Sequence, residues 1–245
     1  STDTPQIIEK MVLEGVDVFR INFSHADHGE VKNRIKMIRE ISEKNQSNTS
    51  ILADLQGPKL RIGKVKEGVR VEPGDLVTFQ NGENFLGNKK KVHMNYKNFS
   101  RDVKPGERVL LDDGKLIFEI VSTDKKSKVE AIVIQGGSLK SKKGVNLPNT
   151  ALSLPALTTK DIIDAEFAIK QNVDWIALSF VRNSNDILDL KKLIEQHAEF
   201  KIPIIAKIEK PEGIENIDKI ISYCDGLMVA RGDLGVEIPP AEVPL

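Results

Sequence analysis

The stretch IPIIAKIEKPEGI, at residues 202–214, opens with a short apolar run, Ile202–Ile208, that is typical of a buried strand. Residues 187–194 before it and 214–221 after it place apolar side chains at helical spacing. A buried strand between two amphipathic helices is the repeating unit of a parallel sheet covered by helices. This stretch therefore predicts an α/β fold.

The same alternation continues outward through residues 1–62 and 150–245. Thr158 followed by Asp161 predicts a capping box at the start of one of the helices. Near-continuous apolar runs between helices indicate parallel strands that are buried on both faces. The predicted strands are Val16–Phe23, Ser50–Asp54, Trp175–Val181, Ile202–Ile208 and Gly226–Ala230.

Residues 63–149 follow a different pattern. Pro-Gly pairs precede short β-prone runs at residues 76–79 and 109–111, and another run spans residues 129–134. Closely spaced strands with turn signals indicate a small antiparallel barrel or sandwich. We therefore expect a β-rich domain inserted in a loop of the α/β domain, where it can act as a lid.

The composition excludes some classes of function. Thirty-six basic residues balance thirty-six acidic ones, so net charge gives no case for binding nucleic acid or an anionic membrane. No apolar run reaches the length of a membrane span, and no signal peptide opens the chain. The single cysteine, Cys224, cannot form an internal disulfide, which fits a reducing compartment. We expect a soluble, cytoplasmic protein.

Charged residues stand at or just beyond the end of each predicted strand. The carboxyl ends of parallel strands meet at one rim of an α/β fold, and active sites lie there. Arginine and lysine suit a phosphate or carboxylate, while carboxylates suit a divalent cation. The residues are Arg20, Asp54, Arg182, Lys207, Glu209, Arg231 and Asp233.

Structural explanations of these residues stay open at this point. Lys207 and Glu209 are two apart, so they share a strand face and could simply form an ion pair on the rim. Asp233 could be the N-cap of a following helix, a role compatible with anion binding nearby. His25 is as compatible with a bystander hydrogen bond as with a ligand contact.

Six motifs in order resemble those of pyruvate kinases and span nearly the whole chain. The resemblance implies an incomplete TIM-type (β/α) barrel, residues 1–62 and 150–245, with a small all-β barrel inserted as a lid at 63–149. The motifs are RINFSH at 20–25, DLQGPKLR at 54–61, LDDG at 111–114, GGSLKSKKGVNLP at 136–148, IPIIAKIEKPEGI at 202–214 and MVARGDLGVEIP at 228–239.

The resemblance also implies a function and a set of site residues. Pyruvate kinases transfer a phosphoryl group from phosphoenolpyruvate to ADP, giving pyruvate and ATP, with Mg²⁺ (or Mn²⁺) as cofactor and usually as homotetramers. Catalytic roles fall to Lys207 and Arg20, which also bind substrate together with Gly232 and Asp233. Glu209 and Asp233 are implied as the Mg²⁺ ligands. The implied nucleotide contacts are Asn22, Ser24, His25, Arg61, Lys143 and Asp113.

One departure concerns K⁺. The residues that match the family's K⁺ site are present, but Lys59 stands where K⁺-requiring members carry glutamate. A fixed ammonium can supply the monovalent charge. We therefore expect activity that does not require K⁺. The matching K⁺ ligands are Asn22, Ser24, Asp54 and the carbonyl of Leu55.

A second departure concerns how much of the family's barrel the sequence covers. By the resemblance, the first and the last two barrel strands and the C-terminal domain lie outside residues 1–245. An open barrel exposes strand edges and interior surface. We therefore expect the isolated chain to be inactive, although its parent is an enzyme.

Two other functions are compatible with parts of this sequence. A Mg²⁺-dependent pyruvate aldolase or lyase also presents a carboxylate pair to a pyruvate enolate, but it has no need of the β-rich insert. A non-catalytic paralogue is expected to lose Lys207 or the carboxylate pair, and this sequence keeps Lys207, Glu209 and Asp233. Both alternatives rank below pyruvate kinase.

Overall fold

The computed structural model describes residues 4–244, and the chain divides into two compact units. The first unit comprises Ser1–Pro58 and Pro155–Val229, and the second comprises Lys59–Leu154 and Ala230–Leu245. The limits predicted from the sequence, at residues 62/63 and 149/150, stay predictions.

Helices and strands alternate in the first unit, whereas the second unit consists mainly of strands. The helices are α1 (Pro5–Leu13), α2 (His28–Lys44), α3 (Phe99–Asp102), α4 (Thr159–Lys170), α5 (Ser184–His197), α6 (Pro211–Glu215), α7 (Ile217–Ile221) and α8 (Arg231–Glu237). The first seven strands are β1 (Val18–Asn22), β2 (Ser50–Asp54), β3 (Arg70–Val71), β4 (Leu76–Gln80), β5 (Lys91–His93), β6 (Arg108–Leu111) and β7 (Leu116–Thr123). The others are β8 (Lys128–Gln135), β9 (Gly137–Ser138), β10 (Val145–Asn146), β11 (Trp175–Leu178), β12 (Ile204–Ile208) and β13 (Gly226–Val229).

The first unit is built on a five-stranded parallel sheet in the order β1-β2-β11-β12-β13. Asn22 pairs with Asp54, and Lys207 pairs with Met228, so the strand ends lie in register along one edge. All five predicted strands are confirmed. The fold is α/β, an incomplete (β/α) barrel with an inserted β-rich domain, as the sequence predicted.

Local sequence explains where the helices of this unit begin. The predicted capping box forms: the Thr158 side chain accepts from the backbone N–H of Asp161, and the Asp161 side chain accepts from that of Thr158. Asn183 and Asp186 form a second box at α5. The helices cover a core in which Ile51 and Ile176 are fully buried. Burial of each such side chain contributes about 1.5–3 kcal/mol.

The second unit contains a six-stranded sheet in the order β10-β6-β7-β8-β4-β5 and a two-stranded sheet of β3 and β9. Its pairs are antiparallel except β4 with β5. The rings of Phe99 and Phe118 pack edge-on against Phe79 in its core. In the described part of the chain, no helix combines the length and apolar character needed to cross a membrane.

Candidate active site

The candidate site lies where β2, β11 and β12 end in the first unit. Asp54 is the last residue of β2, Ser179 directly follows β11, and Glu209 directly follows β12. Lys207 is the fourth residue of β12. Because these strands are parallel neighbours, the four side chains meet at the carboxyl edge of the sheet.

Lys207 is at the centre of this group. Its ammonium donates to Ser179 Oγ at 2.7 Å and lies 3.0 Å from Glu209 Oε1 and 3.1 Å from Asp54 Oδ1. Only 10% of the Lys207 side chain is exposed, and 2% of each carboxylate. The expected Lys207–Glu209 ion pair therefore exists, but it is buried and includes a second carboxylate.

The charge of Lys207 is fixed by its neighbours. Burial disfavours the ammonium and lowers its pKa, but the nearby charges of Glu209 and Asp54 outweigh burial and hold the pKa above its ordinary value. Lys207 is thus a permanent buried cation at neutral pH. A buried cation with defined partners can stabilise an anion that forms beside it.

Arg20 extends the positive charge toward solvent. Its Nε donates to Asp54 Oδ2 at 2.6 Å, and its side chain is about half exposed. Asp54 therefore faces two cations, Arg20 and Lys207. Because one carboxylate orients both cations, they are held close to each other with Arg20 accessible to an incoming anion.

Glu209 is held from its other side by the backbone. Its Oε2 accepts from the Phe180 N–H at 2.8 Å, while Oε1 faces Lys207. Phe180 has a positive φ of 56°, unusual for a residue with a side chain, and this conformation brings its N–H to Glu209. The carboxylate is therefore fixed on both oxygens.

Ser179 and Phe180 were missed by reasoning from the sequence. Ser179 donates to the Leu55 carbonyl at 2.7 Å and so can accept from Lys207. The only signal in the sequence was the position of a small polar residue directly after an apolar strand. Nothing in the sequence indicates the left-handed conformation of Phe180.

Gly57 packs directly against this part of the site. Its φ is +69°, and a Cβ there would lie 2.7 Å from Phe180 Cδ2 and 2.9 Å from Ser179 Cβ. We expect Gly57→Ala to lower the free energy of unfolding by about 1–3 kcal/mol more than backbone strain alone, because the methyl group overpacks the site.

Gly68→Ala is the matched control for this prediction. Gly68 has a similar φ of +73° but nothing within 4 Å of its would-be Cβ. Denaturant unfolding of both variants measures the difference. If Gly57→Ala and Gly68→Ala lowered the free energy of unfolding equally, close packing at Gly57 would have no role.

The residues expected to contact nucleotide from the first unit lie at the end of β1 and in the turn that follows it. Asn22 Oδ1 accepts from the Ser24 N–H at 2.9 Å and so caps a single 3₁₀ turn, Phe23–His25. Asn22 and His25 are exposed, and Ser24 is partly exposed. The Leu55 carbonyl, expected as a K⁺ ligand with Asn22, Ser24 and Asp54, accepts from Ser179.

The other expected nucleotide residues belong to the second unit. Lys143 Nζ lies 2.8 Å from Asp112 Oδ1, and this hydrogen bond holds the pKa of Asp112 below its ordinary value. Asp113 is exposed and has a positive φ of 58°. Arg61 donates its backbone N–H to Asn95 Oδ1 at 2.8 Å. Lys59 is exposed.

Gly232 and Asp233 also belong to the second unit, in the first turn of α8. The N-cap position of α8 is occupied by Ala230, so the alternative interpretation of Asp233 as an N-cap is wrong. The reason is that the helix begins at Arg231, one residue beyond β13, and already includes Asp233. The pairing of Asp233 with Glu209 stays a prediction.

Comparison with known proteins shows the family to which the chain belongs. A family model described as the barrel domain of pyruvate kinase matches residues 1–245. The chain belongs to the pyruvate kinase family.

Similar pyruvate kinases occur in Clostridium perfringens and Staphylococcus saprophyticus. The first is 41% identical over 246 aligned residues and the second 44% over 247, each covering all of this chain. A pyruvate kinase of Staphylococcus aureus strain MRSA252 is 42% identical. The chain spans 52%, 42% and 42% of these relatives, about half of their length.

Pyruvate kinases generally use Mg²⁺ and K⁺, and the donor chemistry of the site fits a hard divalent cation. Glu209 offers a buried carboxylate whose orientation is set by the Phe180 N–H. Mg²⁺ prefers few protein carboxylates, with water and substrate oxygens completing its shell. Glu209 can therefore serve as a ligand, and Asp233 is the second carboxylate expected from the sequence.

Proposed function

We propose that the protein containing this chain transfers the phosphoryl group of phosphoenolpyruvate to ADP, giving pyruvate and ATP, which is the last step of glycolysis. The observation that carries the proposal is the buried ammonium of Lys207, held by Ser179, Asp54 and Glu209 at the ends of neighbouring parallel strands. Membership of the pyruvate kinase family supports it.

Lys207 and Arg20 would act on the phosphoryl group. Phosphoryl transfer needs positioning and charge neutralisation more than covalent help from the protein. Arg20, which is half exposed, would bind the phosphate of the incoming substrate. Lys207 would stabilise the charge on the phosphoryl oxygens as the bond to the enol oxygen breaks and the bond to ADP forms.

Glu209 and Asp233 would hold Mg²⁺, and the backbone N–H groups of Gly232 and Asp233 would bind the substrate carboxylate. Bound Mg²⁺ would supply Lewis-acid stabilisation of the enolate oxygen. The Phe180 N–H supports this role because it orients Glu209 without neutralising it. Protonation of the enolate carbon would then give pyruvate.

The nucleotide would be bound by Asn22, Ser24 and His25 from the end of β1 and the turn that follows it. Arg61, Lys143 and Asp113 would contribute from the β-rich insert acting as a lid. Closure of a lid would exclude water that otherwise intercepts the phosphoryl group. We further propose a cytoplasmic homotetramer that accepts Mg²⁺ or Mn²⁺.

Lys59 would remove the need for K⁺. We expect the full-length protein to be active with tetramethylammonium as the only bulk cation. Lys59→Glu should raise the rate gained on adding K⁺ to about 10-fold or more, because it removes the fixed ammonium that would take the place of the monovalent cation. Rates with and without K⁺ measure the effect.

The control for this prediction is Lys64→Glu, an exposed site with the same charge change. It should leave the K⁺ response unchanged. Loss of wild-type activity without K⁺, together with an unchanged response in Lys59→Glu, would contradict the proposed role.

The proposed function is tested by pyruvate release from phosphoenolpyruvate in the full-length protein, followed with a lactate dehydrogenase coupling system. Pyruvate should form only when ADP and Mg²⁺ are both present, with one ATP for each pyruvate. Pyruvate release without ADP, or none in the complete mixture, would refute the proposal. A lyase or aldolase would show no dependence on ADP.

A further inference from the structure

Helix α4 contacts the two loops that follow β1 and β2. From its first turn, Lys160 Nζ donates to the carbonyl of Phe23 at 2.8 Å. Asp161, fully buried, accepts from the Gly57 N–H at 3.0 Å. Neither contact is needed to form the helix, whose N-terminus is already capped by Thr158. The first turn therefore links α4 to both loops.

The Lys160 contact acts on the 3₁₀ turn Phe23–His25. Phe23 is fully buried and anchors this turn, and its carbonyl also accepts from the Ala26 N–H. Asn22 caps the turn through the Ser24 N–H. Lys160 thus binds the carbonyl of the first residue of the turn, while Asn22, the residue before it, caps the turn through the Ser24 N–H.

Lys160 is itself held in place by a buried carboxylate. Asp164, one helical turn later, contacts the Lys160 ammonium through Oδ2 and His28 Nε2 through Oδ1, the latter at 2.8 Å. Its side chain is 4% exposed. The His28 ring stacks on Phe167, with ring centroids 4.1 Å apart.

This arrangement exceeds what a helix-surface ion pair needs. An exposed i,i+4 pair stabilises a helix only weakly and requires no third partner. Here Asp164 is buried, and Lys160 is directed to a carbonyl 137 residues earlier in the chain. A charged donor makes a stronger hydrogen bond to a carbonyl than a neutral one, and this bond acts on a segment with three polar residues expected to contact nucleotide.

We propose that Lys160 is a positioning residue for the nucleotide, acting through the Phe23 carbonyl on the loop that carries Asn22, Ser24 and His25. This inference rests on the proposed function of the protein. Lys160, whose side chain is 43% exposed, contacts the loop through the Phe23 carbonyl and is not among the groups expected to touch substrate. Its loss should therefore weaken the use of ADP more than that of phosphoenolpyruvate.

Lys160→Met in the full-length protein tests the inference. We expect the KM for ADP to rise about 10-fold, the change in KM for phosphoenolpyruvate to stay within about twofold, and kcat to change little, since one charged hydrogen bond to the loop is lost. Lys160→Arg, which keeps a cationic donor, should restore most of the affinity for ADP.

Lys170→Met is the matched control, because Lys170 is exposed at the other end of the same helix. It should leave both KM values unchanged. If Lys160→Met does not fold, Asp164→Asn makes the same comparison, with an expected several-fold rise in the KM for ADP alone.

If Lys160→Met left the KM for ADP unchanged, or changed the KM values for both substrates equally, the inference would be overturned. This holds even if the melting temperature of the variant falls. The proposed function would be refuted by a different result: a wild-type protein that does not convert phosphoenolpyruvate and ADP to pyruvate and ATP. The two failures are therefore distinguishable in one set of assays.

Discussion

Lys207→Met in the full-length protein is expected to reduce kcat by about 10³-fold, because one preorganised charge aimed at the transferred group is worth about 10²–10³ in rate. Methionine has nearly the length of lysine without its charge. The substitution should lower kcat more than it weakens the binding of phosphoenolpyruvate, because Arg20 is retained to bind the phosphate. Steady-state rates and direct titration of phosphoenolpyruvate measure the two effects.

Lys192→Met, an exposed lysine on α5, is the control for the same change of side chain. It should behave as wild type. Removal of Lys207 also leaves Asp54 and Glu209 buried without their shared cation, so stability should fall by about 3–5 kcal/mol. Turnover within 10-fold of wild type in folded Lys207→Met would contradict a catalytic role of the ammonium.

Glu209→Gln is expected to raise the Mg²⁺ concentration for half-maximal activity by at least about 10-fold and to lower the saturated rate by about 10²-fold. Glutamine keeps the shape of the side chain and can still accept from the Phe180 N–H. It removes the negative charge that would bind the metal and that faces Lys207. Activity measured against Mg²⁺ concentration gives both quantities.

Glu215→Gln, exposed at the end of α6, is the matched control and should leave the Mg²⁺ requirement unchanged. If Glu209→Gln lowered the rate equally at every Mg²⁺ concentration, Glu209 would act only through Lys207. That result would exclude Glu209 as a metal ligand and leave its ion pair with Lys207 as its role in the wild-type protein.

Much of the sheet could be predicted from the sequence, because its strands are apolar runs between amphipathic helices. The same logic correctly predicted that Lys207 and Glu209 lie on the same side, since Glu209 directly follows β12 and is two residues beyond Lys207. It also predicted the capping box at Thr158, where both members lie within one turn. These features depend on local spacing, which the sequence contains directly.

The partners of Lys207 could not be predicted, because they come from strands far apart in the chain. Ser179 is 28 residues away, and the Asp54 carboxylate arrives from a strand 153 residues earlier. The left-handed backbone of Phe180 and its close approach to Gly57 appear only in the folded chain. The contact of Lys160 with Phe23 likewise appears only when α4 is packed beside the loop.

The metal site is the most direct test of the proposal that these strand ends form one catalytic centre. Crystals of the full-length protein with Mn²⁺ and an unreactive phosphoenolpyruvate analogue would locate the ion by its anomalous signal. We predict one peak with oxygens of both Glu209 and Asp233 within about 2.3 Å, and the analogue's phosphate beside Lys207 and Arg20. A peak that lacks either carboxylate, or a phosphate bound away from Lys207, would contradict the proposal.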